Sequence, residues 1–255
     1  MYGFEKEIFA QLMKLKKNYG LKGIKAEFEA EGSSFRDIVR LRRITAKAGV
    51  KLFLKIGGVE SVKDIKDSVE LGVDGIIAPM VETKFGVKKF IQAFQSIYKK
   101  EKMHLTLNIE TKNAISQIDE ILDYARDKVD SITIGRTDLS ASYFHENVVP
   151  DSLFITNILE TVGEKAKRRR LETAIGGSLS KASLDIFRKN KKLPKLFDKI
   201  ETRKVILPAG VMIGNKNAIN EALRFEELYI LSKKEINDVF IESEIARLTQ
   251  LERRL

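Results

Sequence analysis

Glu110 closes the run HLTLNIE (104–110), and Asp138 follows the next apolar run, in SITIGRTDLSAS (131–142). Two carboxylates delivered from adjacent strand ends make a hard, all-oxygen site that suits Mg2+ or Mn2+, with water and ligand oxygens completing an octahedron. Asp138 alone reads equally well as a helix cap or turn acid, and its pairing with Glu110 is what favours a metal. Gly135 lets a ligand approach the backbone closely, where neighbouring N–H groups can hold a carboxylate. A second acidic stretch, KAEFEAEG (25–32), places Glu27, Glu29 and Glu31 at every second position. In a strand these would share a face, with Glu31 passing into the turn and into solvent. Lys25 opens that stretch and Lys55 lies near the end of KLFLKIG (51–57). Ionised groups aimed into a protein interior need partners. Two readings follow: the lysines pair with the glutamates, or acids, a lysine and a metal line a working mouth. The second is favoured.

Something must hold these groups at one place. Short apolar runs alternate with helical-period segments throughout: 23–29, 51–57, 75–81, 104–110, 131–135, 172–177, 204–210 and ELYIL at 227–231. Segments between them, such as SFRDIVRLRRITAKAG and NAISQIDEILDYARD, carry apolar residues three and four apart. Ser34 and Ser61 are expected helix caps. Eight such units predict a single α/β domain over 1–255, a closed (β/α)8 TIM barrel with its site at the C-terminal ends of the strands. Parity supports that placement. Leu105, Leu107 and Ile109 alternate with Thr106, Asn108 and Glu110, as Ile24, Ala26 and Phe28 do with Lys25, Glu27 and Glu29. The apolar set would face the outer helices and the polar set the barrel axis. The segment SYFHENVVPDS (142–152) is expected to form a loop over the active end. A helix precedes the first run, and a long one ends the chain.

Composition excludes much. With 43% hydrophobic and 32% charged residues the chain can bury a core and remain soluble, and no apolar run approaches the 18 residues of a membrane span. MYGFEKEIF lacks the pattern of a signal peptide. Zero cysteines exclude disulfides, thiolate metal sites and cysteine nucleophiles, and fit a cytoplasmic protein. Two histidines, His104 and His145, leave no multi-histidine zinc site. The net charge of +10 concentrates in KKEK (99–102), KAKRRR (165–170) and RKNKKLPK (188–195). Solvated helix faces are the favoured explanation, ahead of attraction of an anionic substrate such as a nucleotide or coenzyme A derivative. Nucleic acid ranks last, because no aromatic interleaving or binding motif accompanies the charge.

APMVET (78–83), NIETKNAISQIDEIL (108–122) and ITIGRTDLSAS (132–142), in that order, resemble the HpcH/HpaI aldolase and citrate lyase β-subunit family of phosphoenolpyruvate/pyruvate-binding TIM barrels. The resemblance runs from about residue 5 to 142, thins through IGGS (175–178) and VILPAG (205–210), and is weak beyond about 215. It implies a lyase or aldolase that makes or breaks a carbon–carbon bond beside a carbonyl through a metal-stabilised enolate. The implied substrate is a small anion: a 2-oxo acid, a phosphoenolpyruvate-like acid or an acyl thioester. Glu110 and Asp138 match the two metal-binding acids. Lys55 stands where the family usually has an enolate-stabilising arginine, and Asn108 where aldolases often have glutamine. Gly135, Arg136 and Thr137 match the segment that holds the substrate carboxylate.

The departures matter too. Glu27-Phe28-Glu29-Ala30 replaces an Asp-Gly-Glu-His wording, so the acid/base histidine is absent and Glu27 or Glu29 would have to serve. Arg136 replaces a common proline. The family's first strand is missing ahead of the N-terminal helix, and ELYIL is expected to fill its place in a permuted barrel. Condensation or transfer dependent on phosphoenolpyruvate, or a barrel that only binds a ligand or partner, are the alternatives. A homo-oligomer is expected.

Overall fold

The computed structural model describes residues 3–28, 30–98 and 102–254. Glu29 and most of the KKEK cluster lie outside the described residues.

Eight strands close into a barrel in sequence order. They are β1 (Gly23–Glu27), β2 (Leu52–Lys55), β3 (Gly75–Ala78), β4 (His104–Ile109), β5 (Ser131–Gly135), β6 (Glu172–Gly176), β7 (Lys199–Glu201) and β8 (Val205–Pro208). β1 to β7 run parallel, whereas β8 is antiparallel to both β7 and β1. The reason is length: only Thr202, Arg203 and Lys204 separate β7 from β8, far too few for a crossover helix. A hairpin forms instead, held by Thr202 N–H to Val205 O at 2.9 Å and by Val205 N–H to Thr202 Oγ1 at 3.0 Å.

The expected barrel is therefore present, but its closure is not the permutation read from ELYIL. Residues 227–231 lie inside the C-terminal helix Ala218–Glu252, where Ala222, Phe225, Tyr229 and Ser232 form its buried stripe. The strand that completes the eight is KIE at 199–201, with two charged residues out of three and no apolar run to announce it.

Parity along the strands is as expected. Ile24, Leu52, Leu54, Ile76, Leu107 and Ile132 join one large core under the surrounding helices, while Phe53, Ile77 and Ile206 form a separate cluster inside the barrel. Phe53 fits the axis because Gly23 and Gly75 flank it: a Cβ at either would run into its ring. Ser34 caps the helix Phe35–Ala48 through a reciprocal capping box with Asp37. Ser61 also sits at a helix N-terminus, but its side chain makes no capping bond.

The N-terminal helix Gly3–Tyr19 buries Ile8, Leu12 and Leu15 and is tied to the C-terminal helix by Gln11 Nε2 donating to Glu221 O at 2.9 Å. The Phe4 N–H still donates to Glu235 Oε2 at 3.2 Å, but further along the C-terminal helix Phe240, Ile241, Ile245, Leu248 and Leu251 are exposed. The described basic clusters behave as solvated helix surface: Arg169 pairs with Asp119 and Asp123, Lys165 with Asp119, and Lys192 with Glu160. Among the described residues no helix is long and apolar enough to cross a membrane.

Candidate active site

A cavity of about 420 Å³ opens at the C-terminal ends of the parallel strands. Its lining includes Glu27, Lys55, Asn108, Glu110, Gly135, Thr137 and Asp138.

Glu110 is the most constrained of these. It is 2% exposed, its Oε1 accepts the Met80 N–H at 3.0 Å, and its Oε2 accepts Asn108 Nδ2 at 3.1 Å. Met80 reaches it from a left-handed backbone (φ 49°), a conformation costly for a side-chain-bearing residue. Gly135, beside it, has no Cβ for a reason the sequence did not reveal: one would lie 2.5 Å from Glu110 Oε2. The glycine makes room for the carboxylate first, and for a ligand only beyond it. Burial raises the pKa of Glu110, and Asp138 adds to the rise; Lys55, the Met80 N–H and Asn108 oppose it.

Lys55 Nζ stands 4.0 Å from Glu110 Oε1 and 3.7 Å from Glu27 Oε2. The register explains the second contact, since Glu27 and Lys55 are direct neighbours across β1 and β2. The lysine thus pairs with the acids at the mouth, as the first of the two readings has it.

The donor set fits a hard divalent cation. Glu110 and Asp138 face one cavity, and Asn108 Oδ1 is buried with no hydrogen-bond partner among the described residues. No group of three or more Asp, Glu, His or Cys among the described residues is placed to hold a metal alone. An ion here would therefore keep oxygens from water or substrate, which is the habit of Mg2+.

On the β5–β6 side, Thr137 and Ser178 hydroxyls lie 2.9 Å apart, and a Cβ at Gly177 (φ 85°) would run into the backbone nitrogens of Arg136 and Thr137.

The model of the HpcH/HpaI aldolase/citrate lyase family matches residues 34–173, more than half of the chain. The chain belongs to this family. Solved structures similar to this family member include an HpcH/HpaI aldolase from Desulfitobacterium hafniense DCB-2, with 17% identity, 72% of this chain and 78% of that one covered, and a TM-score of 0.58. An HpcH/HpaI aldolase/citrate lyase family protein from Burkholderia cenocepacia J2315 gives 14%, 84%, 90% and 0.59. Citrate synthase SbnG gives 15%, 92%, 90% and 0.60. At these identities the likeness is one of fold. No curated protein matches the sequence significantly. An enzyme of aldolase or lyase type is what membership of an aldolase/citrate lyase family indicates.

Three expectations change in this HpcH/HpaI barrel. Arg136 does not offer its side chain to a substrate. It is fully buried, its guanidinium pairs with Asp151 Oδ1 at 2.5 Å, donates to Gly177 O at 2.7 Å, and stacks over Phe187 at 5.0 Å. Burial draws its pKa down while Asp151 draws it back. The 142–152 loop supplies that aspartate and contributes nothing to the cavity lining. Glu31 is not solvated: its carboxylate pairs with the ammonium of Lys204, itself 2% exposed. Glu29 lies outside the described residues. Neither histidine reaches the mouth; His104 begins β4 and its Nε2 meets Ser131 Oγ at 3.0 Å near the opposite end.

Sequence reasoning also missed residues. Glu201, Thr202 and Arg203 of the closing hairpin line the cavity, as do Leu223 and Glu226 of the C-terminal helix. Lys25 points inward as its parity requires and meets Glu201 at 2.6 Å. The signal for the hairpin was the alternation of Lys199 and Glu201 before VILP, too short to stand out.

Proposed function

We propose that this HpcH/HpaI family member is a divalent-metal-dependent carbon–carbon lyase or aldolase acting on a 2-oxo acid or related acyl substrate through an enolate. The observation that carries the reading is Glu110: a carboxylate placed in a buried site at the cost of a strained neighbour, facing the same cavity as Asp138 and beside an unpartnered Asn108 oxygen. Such a group is poorly stabilised until a cation arrives. Glu110, Asp138 and Asn108 would hold Mg2+ or Mn2+. The bound ion would supply Lewis acidity toward the substrate carbonyl.

The chain's own residues then have definite work. Lys55 places an ammonium beside Glu110, where it stabilises negative charge developing on the carbonyl oxygen. It does so as a point charge, without the fork of arginine. Glu27 lies 3.7 Å from Lys55 and 3.8 Å from Arg203, and in this position it orients the lysine. Thr137 and the adjoining backbone at Gly135 and Arg136 receive the substrate carboxylate. The exposed apolar face of the C-terminal helix beyond Ser232 supports self-association with a second copy of the chain. In proteins most helical stability comes from packing an apolar face, and this one has no cover within the chain's described residues.

Calorimetric titration with oxalate, in the presence and absence of Mg2+, tests the reading. The wild-type protein is expected to bind oxalate only with the metal, and Glu110→Ala to lose that binding. Undiminished binding by Glu110→Ala overturns the assignment.

A further inference from the structure

Five carboxylates line the cavity against three cations; three of the five have a bonded partner, and a fourth, Asp138, is assigned to the proposed metal site. Glu201 is bound to Lys25 at 2.6 Å, and Glu27 lies between Lys55 and Arg203. Glu110 accepts the Met80 N–H and the Asn108 amide, and Asp138 is its proposed fellow ligand. The fifth, Glu226, makes no hydrogen bond or ion pair among the described residues, yet it is half-buried at the cavity wall. It arrives there from the C-terminal helix, whose neighbouring residues Ala222, Phe225 and Tyr229 are buried and fix the helix rotation. Leu223, one turn earlier on the same face, lines the cavity with it.

Resting on the enolate reading above, we propose that Glu226 is the acid/base of this site, doing the proton transfer for which the chain has no histidine. Its carboxylate takes a proton from the carbon next to the substrate carbonyl. The C–H electron pair becomes the carbon–carbon double bond of the enolate, and the carbonyl π pair moves to oxygen. In the reverse step the Glu226 carboxylic acid returns the proton to carbon and the carbonyl re-forms. No oxidant or further reactant is needed.

The surroundings suit a group that must hold and release a proton. Burial raises the pKa of Glu226, and Glu31 adds to the rise. Arg203 and Lys204 of the hairpin and Lys25 of β1 act against it without forming a bonded pair that would lock the charge. A carboxyl with its pKa moved up toward the working pH is a better proton carrier than an ordinary one. Glu226 also lies outside the stretch that the family model matches, so motif comparison does not point to it.

The test follows deuterium entry into the methyl group of pyruvate by proton NMR in D2O with Mg2+, alongside Mg2+-dependent oxalate binding. Glu226→Gln is expected to slow exchange by at least about 100-fold, as removal of a general base does, while binding oxalate within about twofold of wild type. Glu226→Asp, which keeps a carboxylate, is expected to recover part of the exchange. Wild-type exchange rates in Glu226→Gln overturn the proposal. So does loss of oxalate binding in that variant, which would make Glu226 a binding or structural residue. A wild-type protein that binds oxalate and does not exchange also overturns it, while leaving the metal site standing. Failure of wild type to bind oxalate with Mg2+ removes the metal-enolate reading and this proposal together.

Discussion

The two halves of the barrel mouth are built differently. On the β4–β5 side, Glu110, Asp138 and Gly135 sit at the ends of parallel strands, inside the matched stretch 34–173. On the β7–β8 side, Glu201, Arg203 and Lys204 come from an antiparallel hairpin, and Glu226 from a helix, all outside that stretch. The first side is rigid and sparing: one backbone N–H, one amide and one lysine surround a buried carboxylate. The second is a dense lattice of opposed charges, with Lys25–Glu201 and Lys204–Glu31 as its fixed pairs. The contrast separates two tasks. On the function proposed above, one side would hold a cation, and the other neutralises most of its own charge and leaves Glu226 over.

That division can be broken from either side. The largest effect is expected on the hairpin side, from Lys204→Met. It leaves Glu31 buried without its counter-ion, and loss of one partner of a buried pair costs about 3–5 kcal/mol. Urea unfolding reads this directly; a change under about 1 kcal/mol would show the lattice to be ornamental. Next comes Gly135→Ala on the β4–β5 side. The new methyl meets Glu110 Oε2, so Mg2+-dependent oxalate affinity is expected to fall by about 10–100-fold, the range seen when a metal ligand loses its support. Unchanged affinity would mean that Glu110 does not hold the ion.

The smallest effect sharpens the contrast through pH. The folded-state pKa of Glu110 lies above its unfolded value, so without metal the fold gains a proton that the unfolded chain lacks. Stability from this group is present below the unfolded pKa and is lost as pH rises through the folded one. Glu110→Gln is expected to remove that slope and to raise metal-free stability above the window, because the folded state no longer has to bury an ionised carboxylate. Urea midpoints measured across the acidic-to-neutral range check it, and a slope unchanged by the substitution would refute it.

Much of the β4–β5 side, and the inward set of β1, was legible. Alternation in HLTLNIE and KAEFE sends Asn108, Glu110, Lys25 and Glu27 inward, because strand parity is a local property that survives in one dimension. Arg136 shows the limit. Its burial depends on Asp151 in a loop and on carbonyls of Gly176 and Gly177 from the next strand, partners that no local pattern ties to it. KIE failed for a related reason. Lys199 and Glu201 find their partners in Glu172 on the neighbouring β6 and Lys25 on β1, residues far off in sequence. ELYIL failed in the opposite way: five residues cannot distinguish a buried strand from one turn of a helix whose period extends back to Ala222. The closing hairpin was thus hidden, and with it Glu201, Arg203 and Lys204 of the charged side of the mouth.

The Phe53–Ile77–Ile206 cluster has a kinetic meaning. It stoppers the barrel axis, and Ile77 forms part of the cavity floor, so the site is a vessel with one neck. Whatever binds deepest, against Glu110, must enter before a second reactant sits above it and must depart after it. If two molecules share this cavity, the order expected is first in and last out, with the deeper one released only after the other.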